Sequence, residues 1–307
     1  MKHPVTRRAV HPRVLLAGCL VGVTTLSGCA AFSDSSGSED DLHIATAFYP
    51  LQFVTERVAG DLATVENLTQ PGSEPHDLEL TIRETAEVVD ADLVVYERGF
   101  QPSVDAAIDE NAEGGVLDVA DVVELVPFRE HGVDSDEVDP HFWQDPLLLA
   151  DVGDAVAKQL AKVDPDHADD FEANAADLRS DLEVLDQEYA DGLAHCSRDT
   201  IVVSHDAFGY LQKYGLTMEA ILGLSPDSEP TTADLARLQD LIRKDGVTTV
   251  FSETLVSPAA ADALARDMKV RSEVLDPIEG LSDETADEDY LSVMRSNLSA
   301  LEQANDC

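Results

Sequence analysis

Basic side chains are scarce: 20 Lys and Arg face 62 Asp and Glu in 307 residues, a formal charge of −42 with an isoelectric point near 4.1. A surface this negative repels a phosphate backbone, which excludes nucleic acid as a main partner, and it concentrates cations instead. Such a surface also suits a protein that stays soluble in salty or crowded surroundings. Membrane-length apolar runs give way to a thirteen-residue uncharged stretch at 14–26, well short of the ~20 residues that span a bilayer. No His-Glu-x-x-His string, no Gly-x-Ser-x-Gly elbow and no tandem repeat of short period occurs. Cysteine is limited to four residues and tryptophan to one. With 44% apolar and 27% charged residues, the chain still has material for one or two packed domains.

Lys2, Arg7, Arg8 and Arg13 precede the uncharged stretch, the layout of a secretion signal. Leu26-Ser27-Gly28-Cys29 then resembles the lipobox of bacterial-type lipoproteins, in which Cys29 is lipidated and becomes the first residue. The alternative is an ordinary signal peptide with a chance cysteine. Removing residues 1–28 takes away four basic and no acidic side chains, which leaves 16 against 62 and a mature charge of −46. Residues 29–41, rich in Ser, Gly, Asp and Glu, read as a flexible tether. Cys19 leaves with the signal and Cys29 carries the lipid, so Cys196 and Cys307 remain in an oxidising compartment. They form a disulfide or stay as two unpaired thiols, and the disulfide is the simpler expectation.

Strand and helix patterns alternate along the rest of the chain. Strands are expected at 42–48, 93–96, 116–119, 200–203, 247–251 and 270–275, with helices at 51–59, 81–89, 231–243, 258–267 and 290–303. Such alternation implies mainly parallel sheets. From 166 to 196 the texture changes: Phe171, Ala175, Leu178, Leu182, Leu185, Tyr189 and Leu193 recur at steps of three and four, one stripe of a long helix. The expected fold is α/β, two lobes each with a mainly parallel sheet flanked by helices, joined by that rigid helix. Its boundaries are 42–164 for the first lobe, 165–196 for the helix and 197–307 for the second lobe.

Three of the nine histidines stand in loops at element ends, where α/β folds place ligand sites. His76 lies in Gly72-Ser73-Glu74-Pro75-His76, His141 in Asp139-Pro140-His141-Phe142-Trp143, and His205 in Ser204-His205-Asp206-Ala207-Phe208-Gly209-Tyr210. Three imidazoles and a carboxylate would complete a zinc tetrahedron. Asp276 and Glu279, after the last strand, are the candidate carboxylates.

These three segments, in this order behind a lipobox, resemble the signature segments of the zinc/manganese solute-binding lipoproteins of ABC importers, over about residues 42–307. The resemblance implies a two-lobed fold holding a metal in the cleft between lobes, with His76 and His141 from the first lobe and His205 and a late carboxylate from the second. Glu279 is the expected fourth ligand; Asp276 or water are the alternatives. Histidine at 205 favours Zn²⁺ over Mn²⁺, which prefers oxygen. The family's long histidine-rich loop before the second motif is reduced here to residues 129–139. That segment is expected to be a solvated acidic loop; the alternative is a weak second cation site of His131 with Asp134, Asp136, Glu137 and Asp139. Glu74 is expected to orient a ligand or to sit near the metal. His43, His167 and His195 read as structural.

The function implied is capture of Zn²⁺ and its delivery to a membrane permease, by a lipid-anchored monomer on the extracytoplasmic face, with no bond made or broken. With ordinary imidazoles, affinity should fall as pH drops below ~6. A manganese-binding paralogue, a metal-dependent adhesin and a zinc hydrolase are the rival readings.

Overall fold

Two apolar strands that are buried along their whole length centre the two sheets: β3 (Leu93–Tyr96) in one and β7 (Thr200–Val203) in the other. Strands buried on both faces read as unbroken apolar runs, which is why the sequence displays them so plainly. The computed structural model describes residues 42–130 and 133–307; the expected signal, lipobox cysteine, tether and His131 lie outside the described residues.

In the first sheet β1 (Leu42–Thr46) pairs in parallel with β2 (Ala63–Asn67) and with β3, and β3 pairs with β4 (Gly115–Asp118), giving the order β2-β1-β3-β4. The second sheet is also parallel: β8 (Thr217–Ala220), β7, β9 (Thr249–Ser252) and β10 (Arg271–Val274) lie in the order β10-β9-β7-β8. Numbered within its own lobe, each sheet runs 2-1-3-4. Helices α1 (Tyr49–Ala59), α2 (Ile82–Asp90), α3 (Pro102–Asn111), α4 (Pro146–Val163), α6 (Thr232–Asp245), α7 (Ala259–Met268) and α8 (Tyr290–Asn305) complete the lobes around α5 (Ala168–Leu193). Local signals start them: Pro opens α1, α3 and α4, while Thr81 with Glu84 and Thr231 with Asp234 close capping boxes on α2 and α6.

Helix α5 has 26 residues, about 39 Å at 1.5 Å per residue, and buries the seven residues of the expected stripe, from Phe171 to Leu193. Each such burial contributes roughly 1.5–3 kcal/mol for the large side chains. The lobes share more than this helix. One continuous core contains Ile44, Leu51 and Val95 together with Trp143, Leu178, Phe208, Leu275 and Tyr290. Helix α8 reaches the first lobe, its Tyr290 ring lying 5.3 Å from that of Phe53. A separate, smaller cluster of Val202, Leu238, Ile242, Val250 and Leu264 belongs to the second lobe. Cys196 and Cys307 form the expected disulfide, tying the third residue after α5 to the second residue after α8.

Two sequence expectations are corrected. Residues 129–130 and 133–138 are strand, not loop: β5 (Pro127–Glu130) and β6 (Val133–Val138) pair antiparallel, with Phe128 buried as their anchor. Asp139, directly after β6, is only 3% exposed and so is no part of a solvated surface. The strands β2 and β8 and the helices α3 and α4 carry no expectation above. β2 and β8 flank β1 and β7 as edge strands, and neither is fully buried, so their apolar signal is diluted.

Candidate metal centre

Each site histidine sits where a short, stiff segment leaves a regular element. The His76 loop, between β2 and α2, is tied at Gly72, whose N–H donates to the Leu281 carbonyl at 2.8 Å, and at Pro75, whose carbonyl accepts from Gln101 Nε2 at 3.1 Å. His141 opens the turn that leads into α4, and Asp145 caps that helix by accepting from the Leu147 N–H at 2.9 Å. His205 follows β7 by two residues. Glu279 lies in the segment after β10, where Ile278 adopts φ of 62°. A β-branched residue in left-handed backbone costs on the order of 1–2 kcal/mol. Its surroundings enforce it: Asp276 Oδ1 accepts from the Ile278 N–H at 2.7 Å, while Trp143 Nε1 and Gln144 Nε2 both donate to the Pro277 carbonyl, at 2.7 and 2.6 Å.

The four side chains converge. Glu279 Oε1 lies 3.2 Å from Nε2 of His76, of His141 and of His205, and the Nε2 atoms of His76 and His141 are 3.4 Å apart. All four ligand atoms fall within 4.8 Å of one another. A tetrahedron with zinc bonds of ~2.0–2.1 Å has edges of about 3.3 Å, and these four of its six separations match that length. Asp276, the alternative carboxylate, is used elsewhere: besides the Ile278 bond, its Oδ2 accepts from Thr254 Oγ1 at 2.9 Å. The other histidines among the described residues stand apart from this cluster. His43 Nε2 pairs with Glu87 at 2.9 Å, His167 Nδ1 pairs with Asp164 at 2.5 Å, and His195 is exposed.

Carboxylates hold the far side of two rings. Asp139 Oδ1 accepts from both the backbone N–H and Nδ1 of His141, at 3.0 and 2.8 Å. Glu253 accepts the backbone N–H of His205 on Oε1 at 2.9 Å and takes Nδ1 on Oε2 at 2.7 Å. Both bonds place the ring proton on Nδ1 and leave Nε2 free to ligate. Tyr210 adds a brace between lobes, its hydroxyl donating to the Asp139 carbonyl at 2.8 Å. Phe100 and Trp143 wall the cluster with ring centroids 4.7 Å from His76 and 5.2 Å from His141, keeping the local dielectric low.

The charges show what the cluster is built for. Burial opposes a charged His205, yet the Glu279 and Glu253 carboxylates outweigh it and lift its pKa well above the ordinary value. His141 is lifted too, as hydrogen bonds to Asp139 and Glu279 overcome burial. Burial alone would raise Glu279, but the His205 charge and the three imidazole hydrogen bonds pull it well below the carboxylate range. The cluster therefore favours positive charge at its centre, supplied by protons when no cation is there.

Glu253, Ile278 and Tyr210 in its bracing role were not foreseen from the sequence. An acid directly after an apolar strand was the available signal for Glu253. Glu97 follows β3 as Glu253 follows β9, and each is the third strand of its lobe. Phe48 stands two residues after β1, where His205 stands after β7, so Glu97 has no imidazole to hold. Its Oε2 is buried without a hydrogen-bond partner among the described residues.

Two parallel-sheet lobes around a buried cluster of three imidazoles and a carboxylate define a two-lobed cation-binding protein. Residues 44–304 match the family described as zinc-uptake complex component A, periplasmic (ZnuA), and the chain belongs to it. It is 35% identical over 305 residues to the zinc-binding lipoprotein AdcA of Streptococcus pneumoniae serotype 4, covering 93% of this chain and 61% of AdcA. The chain thus spans about three-fifths of the length of that relative. The high-affinity zinc uptake system protein ZnuA of Bacillus subtilis is 32% identical over 305 residues, covering 94% of this chain and 96% of the relative. The crystal structure of the Zn(II)-bound ZnuA-like domain of pneumococcal AdcA aligns with a TM-score of 0.75 at 36% identity, over 87% of this chain and all of that domain.

Proposed function

We propose that this protein captures Zn²⁺ between its lobes, on His76, His141, His205 and Glu279, and delivers it to the permease of an ABC importer. The observation that carries this reading is the convergence of the four ligand atoms within 4.8 Å, with Glu279 Oε1 3.2 Å from each imidazole Nε2. Three nitrogen donors to one oxygen suit zinc better than manganese, and both relatives and the solved domain carry zinc in their names. With four protein ligands engaged, no open position is left for an attacking water, so the chain acts as a carrier and not as a hydrolase. A signal at 1–28, lipid on Cys29, a tether at 29–41 and lobes at 42–164 and 197–307 would keep a monomer on the extracytoplasmic face beside its permease.

Calorimetry of the metal-free protein is expected to show one tight Zn²⁺ site with weaker Mn²⁺ binding. His205→Ala should lower zinc affinity at least ~100-fold, given the loss of one of four ligands, while the metal-free protein still unfolds cooperatively. Unchanged affinity in His205→Ala would remove the site from consideration.

A further inference from the structure

The four groups of the cage differ in their access to solvent. The side chains of His141 and His205 are fully buried and that of Glu279 is 2% exposed, but that of His76 is 10% exposed. They differ also in how the rings are held. His141 and His205 have a carboxylate on Nδ1, behind the ring, whereas the carboxylate beside His76 is on the other side. Glu74 Oε1 accepts the His76 backbone N–H at 3.0 Å and lies 3.9 Å from Nε2, the nitrogen that faces the cage. Glu74 is 17% exposed, more than any ligand, and its Oε2 accepts from the Asp77 N–H at 3.4 Å, which keeps the carboxylate over the loop. Two atoms bound to one zinc ion at 2.0–2.2 Å can stand up to about 4.2 Å apart. Glu74 Oε1 and His76 Nε2 can therefore share an ion at a wide angle, in contrast to the tighter edges of the inner four.

Resting on the zinc-binding reading above, we propose that Glu74 and His76 form the port of the cage. An arriving hydrated Zn²⁺ exchanges one water for Glu74 Oε1 and a second for His76 Nε2. It then turns inward on His76, whose ring is not fixed at Nδ1 by any described carboxylate, and sheds its remaining waters to His141, His205 and Glu279. Glu74 lets go as the tetrahedron closes, and release runs through the same pair in reverse. Glu74 is thus a capture residue that speeds both arrival and departure. The others set how tightly the ion rests.

Stopped-flow loading of the metal-free full chain with Zn²⁺, in competition with a zinc indicator dye, tests this, together with chelator-driven release. Glu74→Gln keeps the closer backbone bond, from the His76 N–H, on its one remaining oxygen but loses the charge, and its association rate is expected to fall about tenfold, within the range by which local charge changes on-rates. Release should slow as well, so affinity changes less than association. Glu74→Asp should recover part of the rate. Glu79→Gln, which removes an exposed charge from the same loop, controls for general steering and should stay within about twofold. Association of Glu74→Gln within twofold of the wild type, or faster release at unchanged association, would overturn the port. A wild type that takes up no zinc overturns the zinc reading itself, and the port with it.

Discussion

Glu253 and Asp139 hold their imidazoles by different bonding patterns, and the difference separates two otherwise similar substitutions. Glu253 uses both oxygens, one on the His205 backbone N–H at 2.9 Å and one on Nδ1 at 2.7 Å. Glutamine has only one oxygen. If that oxygen keeps Nδ1, the amide group points its hydrogens at the backbone N–H, and two donors opposed in a buried site cost about 1–3 kcal/mol. If the amide flips, it donates to Nδ1 and drives the ring proton to Nε2, the nitrogen needed for the ion. Asp139, by contrast, serves both His141 donors with the single atom Oδ1, and Oδ2 lies against Gly209. Asparagine can keep both bonds and lose only the negative charge. Loss of such an outer partner commonly costs 10–100-fold in metal affinity. Glu253→Gln should therefore sit near the hundredfold end, about 2.7 kcal/mol, and Asp139→Asn near tenfold, about 1.4 kcal/mol. Competition titration against a chelator of known affinity at pH 7.5 measures both, with thermal unfolding of the metal-free proteins as the check on folding. Equal losses, or the reverse order, would refute the argument from the two bonding patterns.

Two further predictions concern pH. His141 and His205 are lifted above the ordinary histidine range, so protons occupy these rings below their raised values and compete with zinc. Zinc affinity should then begin to weaken above pH 6.5 as pH falls, by up to about 100-fold per pH unit while both rings compete. A chelator titration in which the loss starts only below pH 6, as ordinary imidazoles would give, contradicts this. Glu97 is raised well above 4.5 because burial dominates, with Asp139 adding to it. A raised carboxyl contributes stability below its unfolded value that is lost as pH rises through the folded one, at about 1.4 kcal/mol per pH unit. Glu97→Gln should therefore be more stable than the wild type at pH 7 and lose that advantage near pH 4.5. Urea unfolding at the two pH values reads the difference, and parallel curves would refute it.

The legible parts of this protein were those with a strong local signal. The long-helix stripe from Phe171 to Leu193 is buried at all seven expected positions because period and burial coincide over seven turns. His76, His141 and His205 were visible because proline, glycine and aromatic neighbours give their loops a distinctive wording. Helix α4 has as clear an amphipathic pattern, but it starts at Asp145-Pro146, directly after the second histidine segment, where the loop reading dominated. The pairing of 127–130 with 133–138 was hidden by the acidity of these strands, since charge reads as loop when strand pairing is not considered.

What stayed hidden were residues whose role depends on distance in the fold. Glu253 lies 48 residues from His205, and nothing within its own segment marks it as that ring's holder. The two lobes repeat one strand order, and an acid follows the third strand in each, so the position is a property of the architecture. Only one lobe puts an imidazole two residues beyond its first strand. There the acid becomes a bidentate holder; in the other lobe Phe48 occupies the place, and Glu97 is left buried with no bond at Oε2 among the described residues. The same carboxylate thus aids binding in one half and weakens the fold at neutral pH in the other, according to whether its neighbour is histidine or phenylalanine.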